Sequence, residues 1–417
     1  MEVESVKPDV DGAVGAAVTV SLPEATLRLR QKAREFALRE VRPGAAERDR
    51  VSDPLEAFSW EVWRKASRAG WRTLAMPPEH GGIGMDVLTH CVLLEEFCAS
   101  GDPGFGAAIH QVWKLEKLLL ENEYLKQEVL PRFLADDDFM FTLGMTEPDS
   151  GTDNVLPYDG LDGGSRTLAV QQPDGDWVID GTKHFLFAGG ISKGTFLLCR
   201  TDPAQGMSSG ATLFYVDHSL PGFKVGHVHS KLGWRTGPNG RLTFDHVRVP
   251  DAARMSPVGA GVGYVGAFGR PHAPTTSSFA IGTARAIYEH TLQWCREFRQ
   301  RGRPLIEHQS VALLLADMYT NIELARTITW KAAWSGENNP EHDVKWGIVS
   351  QLFSAEMVNQ VAFSAMRIWG ARGYERSWPI EKLVRDGLAN YHLDGLNDIN
   401  RLRITRSLMG MTGGYIG

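Results

Sequence analysis

The chain runs to 417 residues, 43% of them hydrophobic, enough for two or three domains with ordinary buried cores, and this excludes disorder throughout. A net charge of -6 without long single-sign runs offers no phosphate-tracking face for nucleic acid and points to a small-molecule or protein partner. Cys91, Cys98, Cys199 and Cys295 form no CxxC pair and read as buried thiols of a reducing compartment, and no apolar run nears the roughly 18 residues that span a bilayer, so a cytoplasmic protein with no membrane partner is expected.

Residues 1–22 begin with acids and hold a single lysine, which suits a flexible tail better than a secretory or transit segment. Residues 23–140 carry apolar positions three and four apart in "ATLRLRQKAREFALREV", "EAFSWEVWRKASRAG" and "MDVLTHCVLLEEFCAS", so an N-terminal helical domain is predicted, broken by the loop "PPEHGGIG". Residues 141–252 change to short β-rich runs, with a Pro-Asp-Gly turn inside "RTLAVQQPDGDWVIDGTKHFLF" and then "TFLLCR", "ATLFYVD" and "RLTFDHVRVP", which predicts a middle antiparallel β-barrel. Residues 253–417 start with a Gly-rich bridge over 253–269 and continue in four amphipathic helical stretches, from "SSFAIGTARAIYEHTLQWCREFRQ" to "NDINRLRITRSLM", a C-terminal four-helix bundle. The predicted fold class is mainly α with a central β domain.

Several local patterns carry less than they suggest. "GVGYVG", residues 261–266, fits G-x-G-x-x-G, but the proline-interrupted "GRPHAP" follows it, where a dinucleotide-binding turn would need a helix. The thirteen histidines form no HExxH or paired ligand cluster; His227 and His229 share one face of a probable strand, yet two ligands do not complete a site, and no metal is expected. Ser150-Gly151 lacks the G-x-S-x-G frame of a nucleophile elbow.

Four further elements matter through their order: "LGMTEPDSGTDN" (143–154), "DGTKHFLFAGG" (180–190), "RQRGRPLIEHQSV" (299–311) and "AMRIWGARGYERSWPIEKLVRDGLANYHLDGLNDINR" (365–401). Together with "PPEHGGIG" and "KLGWRTGPNGRLTFDHVRVP" they resemble the acyl-CoA dehydrogenase family of flavoproteins, from about residue 25 onward. The first element suits a flat flavin: Met145 and Thr146 can offer main-chain and hydroxyl bonds, and Gly151 and Thr152 permit close approach to an anion. The resemblance implies that Leu143, Met145, Thr146, Gly151 and Thr152 contact FAD, with Thr152 also facing substrate, and that Asn397 belongs to the same cofactor site. It further implies that the adenine half of each FAD reaches a neighbouring subunit, so a homotetramer, or at least a homodimer, is expected. The chain departs from the family there: Phe298 stands at an arginine position, flanked by Arg299 and Arg301 ahead of Gln309, and Arg367 stands at a glutamine position, followed by Gly370 and Gly373. A guanidinium binds phosphate bidentately, so these arginines are expected to redistribute the contact. Phe185 and Phe187 match a tripeptide beside the flavin ring, with Phe187 where a hydroxyl that bonds flavin N5 is usual.

Nine residues separate Arg385 from Asp394, the spacing between the family's "RD" and its catalytic glutamate, so the resemblance assigns Asp394 as the base, followed by Gly395 on the substrate side. The implied reaction is α,β-dehydrogenation of an acyl thioester, in which a carboxylate takes the α-proton and the β-hydride passes to flavin. Desolvation beside an apolar acyl chain is expected to raise the Asp394 pKa. Asp394-Gly395 is equally a turn signal. His272 is the second candidate base, and Arg270 and Ala273 replace the family's acid and arginine near the pantetheine arm, which opens the choice between coenzyme A and a carrier protein. An electron-transfer flavoprotein is the expected redox partner. The alternatives are a flavin oxidase or monooxygenase, suggested by Phe187 and by the aspartate base of nitroalkane oxidases, and a non-catalytic interaction module.

Overall fold

The computed structural model describes residues 22–154, 159–269, 272–339 and 345–409. Most of the expected tail, residues 1–21, lies outside the described residues, but Leu22 is buried against Val87, Cys91, Val92, Trp330 and Ala333. The N-terminal helices include α1 (Glu24–Phe36), α2 (Trp60–Arg68), α3 (Val87–Cys98) and α4 (Pro103–Leu115). Caps define their starts: Ser59 accepts from Val62 N, Asp86 from Thr89 N and Asp102 from Phe105 N, with Pro103 in the first turn of α4. Gly104 lets α4 lie against the middle domain, since a Cβ there would fall 2.2 Å from Thr236 Oγ1 and 2.7 Å from Gly237 N.

The middle segment holds β1 (Phe141–Gly144), β2 (Leu168–Gln171), β3 (Trp177–Phe187), β4 (Gly194–Arg200), β5 (Ala211–Asp217), β6 (Phe223–Val228) and β7 (Asn239–Val249). They form one curled sheet in the order β1-β4-β2-β3-β7-β6, with β5 on β4. The pairing is mostly antiparallel, as the turn signals predict, but β1 and β2 each run parallel to β4. The Pro-Asp-Gly turn does join β2 to β3, Gly175 standing at φ 97°.

The "GVGYVG" stretch departs from its expectation, because α5 (Gly261–Gly269) is itself helical. A dinucleotide turn is still ruled out there, since its glycines lie inside the helix and do not precede one. The bundle comprises α6 (Ala273–Glu297), α7 (Gln309–Asn338), α8 (Lys345–Trp369), α9 (Pro379–Leu388) and α10 (Asn397–Leu408); α9 was not read from the pattern. Several polar contacts bind bundle to N-terminal helices, two groups of them bearing on the site. Arg285 of α6 and Arg326 of α7 grip Glu95 and Glu96 of α3, all four buried. Arg385 of α9 pairs with Asp49 at 2.6 Å, while the neighbouring Asp386 accepts from Trp234 N at 2.7 Å and Lys382 Nζ at 2.6 Å. These ties press α9, the "RD" pair and the turn that follows against the loop between β6 and β7. All four cysteines are free and buried, and burial pushes the Cys91 thiol up to about 12.

Candidate active site

Asp394 sits in the turn between α9 and α10 with φ 46°, followed by Gly395 at φ 112°. Left-handed backbone is disfavoured for most residues but tolerated by Asp, Asn and Gly, so the turn signal and the candidate base are one residue. Thr276 Oγ1, in the first turn of α6, donates to Asp394 Oδ2 at 3.0 Å, and Gln351 Nε2 pins the preceding Leu393 carbonyl at 2.6 Å. Protein surrounds Asp394 closely, yet its surface is accessible to solvent. Its carboxylate therefore stands at the open edge of a slot-like cleft, exposed to solvent and tied to Thr276.

One face of α4 forms part of the same slot. Ala107, His110 and Lys114 are three and four residues apart and share that face. His110 meets the Phe279 ring edge-on at 5.2 Å, Phe279 meets Trp234 at 5.0 Å, and Ala107, Trp234 and Phe279 form a cluster against which Phe187 and Leu393 pack. Phe187 and the neighbour of Asp394 thus belong to one aromatic wall. Behind His110, His90 Nε2 lies 3.0 Å from His110 Nδ1, and His272 stands 5.9 Å from His90.

The expected upward shift of the Asp394 pKa is not found. The charge of Lys114 is the largest influence, and with the Thr276 hydroxyl and Arg403 it acts against burial to hold the carboxyl below its ordinary range. Cations around the slot outweigh desolvation, so the group is ionised and ready to accept a proton. Burial drives His110 down to about 3 and His272 well below 6.5, which keeps both rings neutral. His272 Nδ1 is buried without a hydrogen-bond partner among the described residues. His272 is the weaker of the two candidate bases because burial, not a carboxylate partner, governs it.

The loop that carries Met145 and Thr146 is held by a buried pair that the sequence reading passed over. Lys183 Nζ of β3 bonds Met145 O at 3.1 Å, Glu147 Oε1 at 2.8 Å and Ser165 Oγ at 2.6 Å; Glu147 also accepts from Thr167 N and Arg166 N. Burial alone would raise Glu147, but Lys183 and these donors hold it at about 2. The contribution of a depressed carboxyl is complete above its ordinary pKa and lost as pH falls through the depressed one. The stability difference between wild type and Glu147→Gln is therefore expected to be constant above pH 4.5 and to shrink toward pH 2; denaturant titrations across that range check it. The sequence signal was present, a Lys in "DGTKH" and a Glu in "TEPDSG", but only strand pairing brings them together.

The remaining predicted residues divide between two ends of the molecule. His184 N donates to Thr146 O at 2.8 Å and Thr142 Oγ1 to Phe187 O at 2.7 Å, so the 143–146 strand end runs beside Phe185 and Phe187. Leu143 and Met145 pack on the N-terminal core, and Thr152 is half-buried in a short turn of helix. Phe185 is 48% exposed, and a Cβ on Gly151 would meet nothing nearer than 4.0 Å. The Phe187 ring packed against the Trp234 and Phe279 cluster, and the open flank at Gly151, suit the flat ring and close backbone approach of the implied flavin. Asn397 is buried nearby, but its Nδ2 donates to Glu356. Arg270 lies outside the described residues.

Arg299, Arg301, Gln309, Arg367 and Gly370 are exposed at the far end of the bundle, and Gly373 is buried beside them. The α6 helix alone separates Thr276 from that end by about 30 Å, so these residues cannot join the slot within one chain. Phe298 stacks on Trp294 at 4.4 Å beneath the Arg372 guanidinium, which explains what a phenyl ring does at the arginine position. His110, Lys114, Thr276 and Arg403 were missed; the Asp102-Pro103 start of α4 was the available signal.

Comparison with known proteins identifies the family. Models of the N-terminal, middle and C-terminal domains of acyl-CoA dehydrogenase match residues 23–137, 142–247 and 259–409. An acyl-CoA dehydrogenase of Bacillus subtilis (strain 168) is 29% identical over 395 residues, covering 92% of this chain and 98% of its own. Glutaryl-coenzyme A dehydrogenase, solved as its glutaryl-CoA complex, is 25% identical with TM-score 0.84, covering 94% of this chain and 98% of that one. Butyryl-CoA dehydrogenase from Megasphaera elsdenii shares the fold at TM-score 0.85 and 24% identity, covering 93% of this chain and 99% of that one.

Proposed function

Because the chain belongs to the acyl-CoA dehydrogenase family of oxidoreductases acting on CH-CH donors, we propose that it dehydrogenates an acyl thioester, with Asp394 taking the α-proton. Its cofactor is FAD, as in the family, and bound FAD supplies the acceptor for the β-hydride. The observation that carries the reading is the ionised Asp394 held by Thr276 in a slot shared with Phe187.

The chain's own groups account for binding and proton transfer. Trp234, Phe279 and Phe187 exclude water along one wall, which strengthens every charge interaction inside. Asp394 Oδ2 is oriented by Thr276, leaving Oδ1 for the α-carbon. An enolate-like transition state needs a donor at the thioester oxygen. Among the described residues no acceptor takes up the Asp394 N-H, so that amide remains for this purpose. The separation of Arg299, Arg301 and Arg367 from the slot supports a second copy of the chain completing the phosphate end of the cofactor site, and coenzyme A or a carrier protein supplies the thiol. An electron-transfer flavoprotein is the reading's electron acceptor.

Anaerobic titration of the flavin-loaded protein with saturated acyl thioesters is expected to bleach the flavin band. The second reading, an oxidase, rests on Phe187, whose ring offers no hydroxyl to the flavin. Oxygen consumption with stoichiometric peroxide would favour it, and absence of flavin after attempted loading would sink both.

A further inference from the structure

Resting on the dehydrogenase reading, we propose that Lys231 and Asn239 are positioning residues: together they lock a bulge in β3 that turns Phe187 into the slot and Phe185 away from it.

In a regular strand Lys183, Phe185 and Phe187 would point to one face, since side chains alternate with period 2. They do not. The Lys183 side chain is fully buried and Phe185 is 48% exposed, while Phe187 packs against the cluster of Ala107, Trp234 and Phe279. The ladder to β7 shows why: Lys183 pairs with Leu242 and Leu186 with Gly240, so three steps along β3 match two along β7. The extra residue makes a bulge, with Phe185 at φ 58° and, just past the strand, Ala188 at φ 59°. Both stand in the left-handed region that residues with a side chain disfavour, and such a backbone persists only where its surroundings hold it.

The hold comes from the β6–β7 loop and the first residue of β7. Asn239 Nδ2 donates to Phe185 O at 2.8 Å, and Ala188 N donates to Pro238 O at 2.8 Å. Asn239 Oδ1 accepts from Lys231 Nζ at 2.6 Å, and the same ammonium donates to Gly237 O at 2.5 Å. An ammonium has donors and no acceptor, so Lys231 fixes which end of the Asn239 amide faces it and leaves the amide N-H for Phe185. Gly237 in turn backs the Phe187 ring: a Cβ there would fall 2.6 Å from Phe187 Cε2. The ammonium itself stands 5.9 Å from the centre of that ring. Among the described residues no carboxylate lies within 4.0 Å of it, so the bonds it makes are the ones that fix the bulge and not an ion pair.

The flavin-loaded protein is to be compared with Lys231→Met, Asn239→Leu and the double variant by two readouts, the absorption band of the bound flavin and the rate of its anaerobic reduction by a saturated acyl thioester. About 1 Å of misplacement at a reacting centre costs on the order of 100-fold, so Lys231→Met is expected to slow reduction by about 10- to 100-fold and to shift the flavin band. Because both residues act through one bulge, the double variant is expected to be no slower than the worse single one, whereas effects at independent sites would multiply. Asn239→Asp keeps an acceptor for Lys231 but offers Phe185 O no donor, and it is expected to reproduce the band shift, with thermal unfolding confirming that the variants are folded. A wild-type band and rate in Lys231→Met, or multiplied effects in the double variant, overturn the assignment while leaving the dehydrogenase reading intact. If no saturated thioester reduces the wild-type flavin, that reading fails, and the band shifts of the variants still decide whether the bulge is held as proposed.

Discussion

Asp394→Asn is expected to keep the fold and the bound flavin and to slow anaerobic, thioester-dependent flavin reduction by about 10²- to 10⁴-fold, the contribution typical of a positioned general base. Asparagine is the clean replacement because it tolerates the left-handed backbone of position 394 and can still accept from Thr276, while lacking the charge that takes the proton. Asp394→Glu tests a different property. Glutamate is a good base, but it is one methylene longer and pays about 1–2 kcal/mol in this backbone region, so both stability and rate are expected to fall, the rate by less than in the asparagine variant. His272→Ala is expected to stay within a few-fold of wild type, because that ring bonds neither Asp394 nor Thr276. Stopped-flow reduction of the three variants decides the assignment: near-wild-type rates for Asp394→Asn, or collapse only with His272→Ala, would move the base elsewhere.

Arg285→Met is expected to destabilise the protein by about 3–5 kcal/mol, the loss seen when one partner of a buried ion pair is removed. Arg285 Nη1 bonds Glu95 Oε1 and Glu96 Oε1 at 2.8 Å each, and its Nη2 bonds Glu96 Oε2. Arg326 takes the other side of Glu95 at 2.8 Å and 3.0 Å, and Arg30 reaches Glu96 at 2.8 Å. Losing Arg285 leaves two carboxylates in an interior where Arg326 and Arg30 only partly compensate them. Burial raises both carboxyls, but the arginines more than offset it and hold Glu96 at about 2 and Glu95 lower still. Their contribution is therefore complete above pH 4.5 and fades as pH falls through the depressed values. A double replacement, Arg285→Met with Glu96→Leu, is expected to recover part of the loss, since apolar residues of similar volume can substitute for a buried pair. Denaturant unfolding at neutral pH measures all three proteins; a single variant within 1 kcal/mol of wild type would show that the network is not what joins α3 to the bundle.

The joining matters to the chemistry because the slot has walls from every segment of the chain. Phe187 comes from β3, Trp234 from the β6–β7 loop, His110 and Lys114 from α4, and Thr276 and Asp394 from the bundle. The Arg385–Asp49 pair and the Asp386–Trp234 bond set the turn carrying Asp394 against Trp234. Disturbing either contact is a positional change, and about 1 Å of misplacement at a reacting centre costs on the order of 100-fold.

Much of this protein was legible in the linear chain. Helices, strands and helices again follow from periods of 3.6 and 2.0, which are local properties, and the Pro-Asp-Gly turn between β2 and β3 is encoded in three residues. Asp394 was singled out as the candidate base by the family resemblance, through its nine-residue distance to Arg385, a register that needs no coordinates. The errors were local too: "GVGYVG" is helical despite its glycines, because burial of Val262 and Val265 outweighs propensity, and Leu22 is core, not tail. What only the tertiary structure decided is the electrostatic character of the slot. A carboxylate beside apolar neighbours in sequence reads as desolvated, but the ammonium of Lys114 and the guanidinium of Arg403 reach it through space, and charge interactions depend on distance, not on order along the chain. Pairings such as Lys183 with Glu147 and Arg285 with Glu95 and Glu96 are set the same way, by which helix face and which strand register meet once the domains pack.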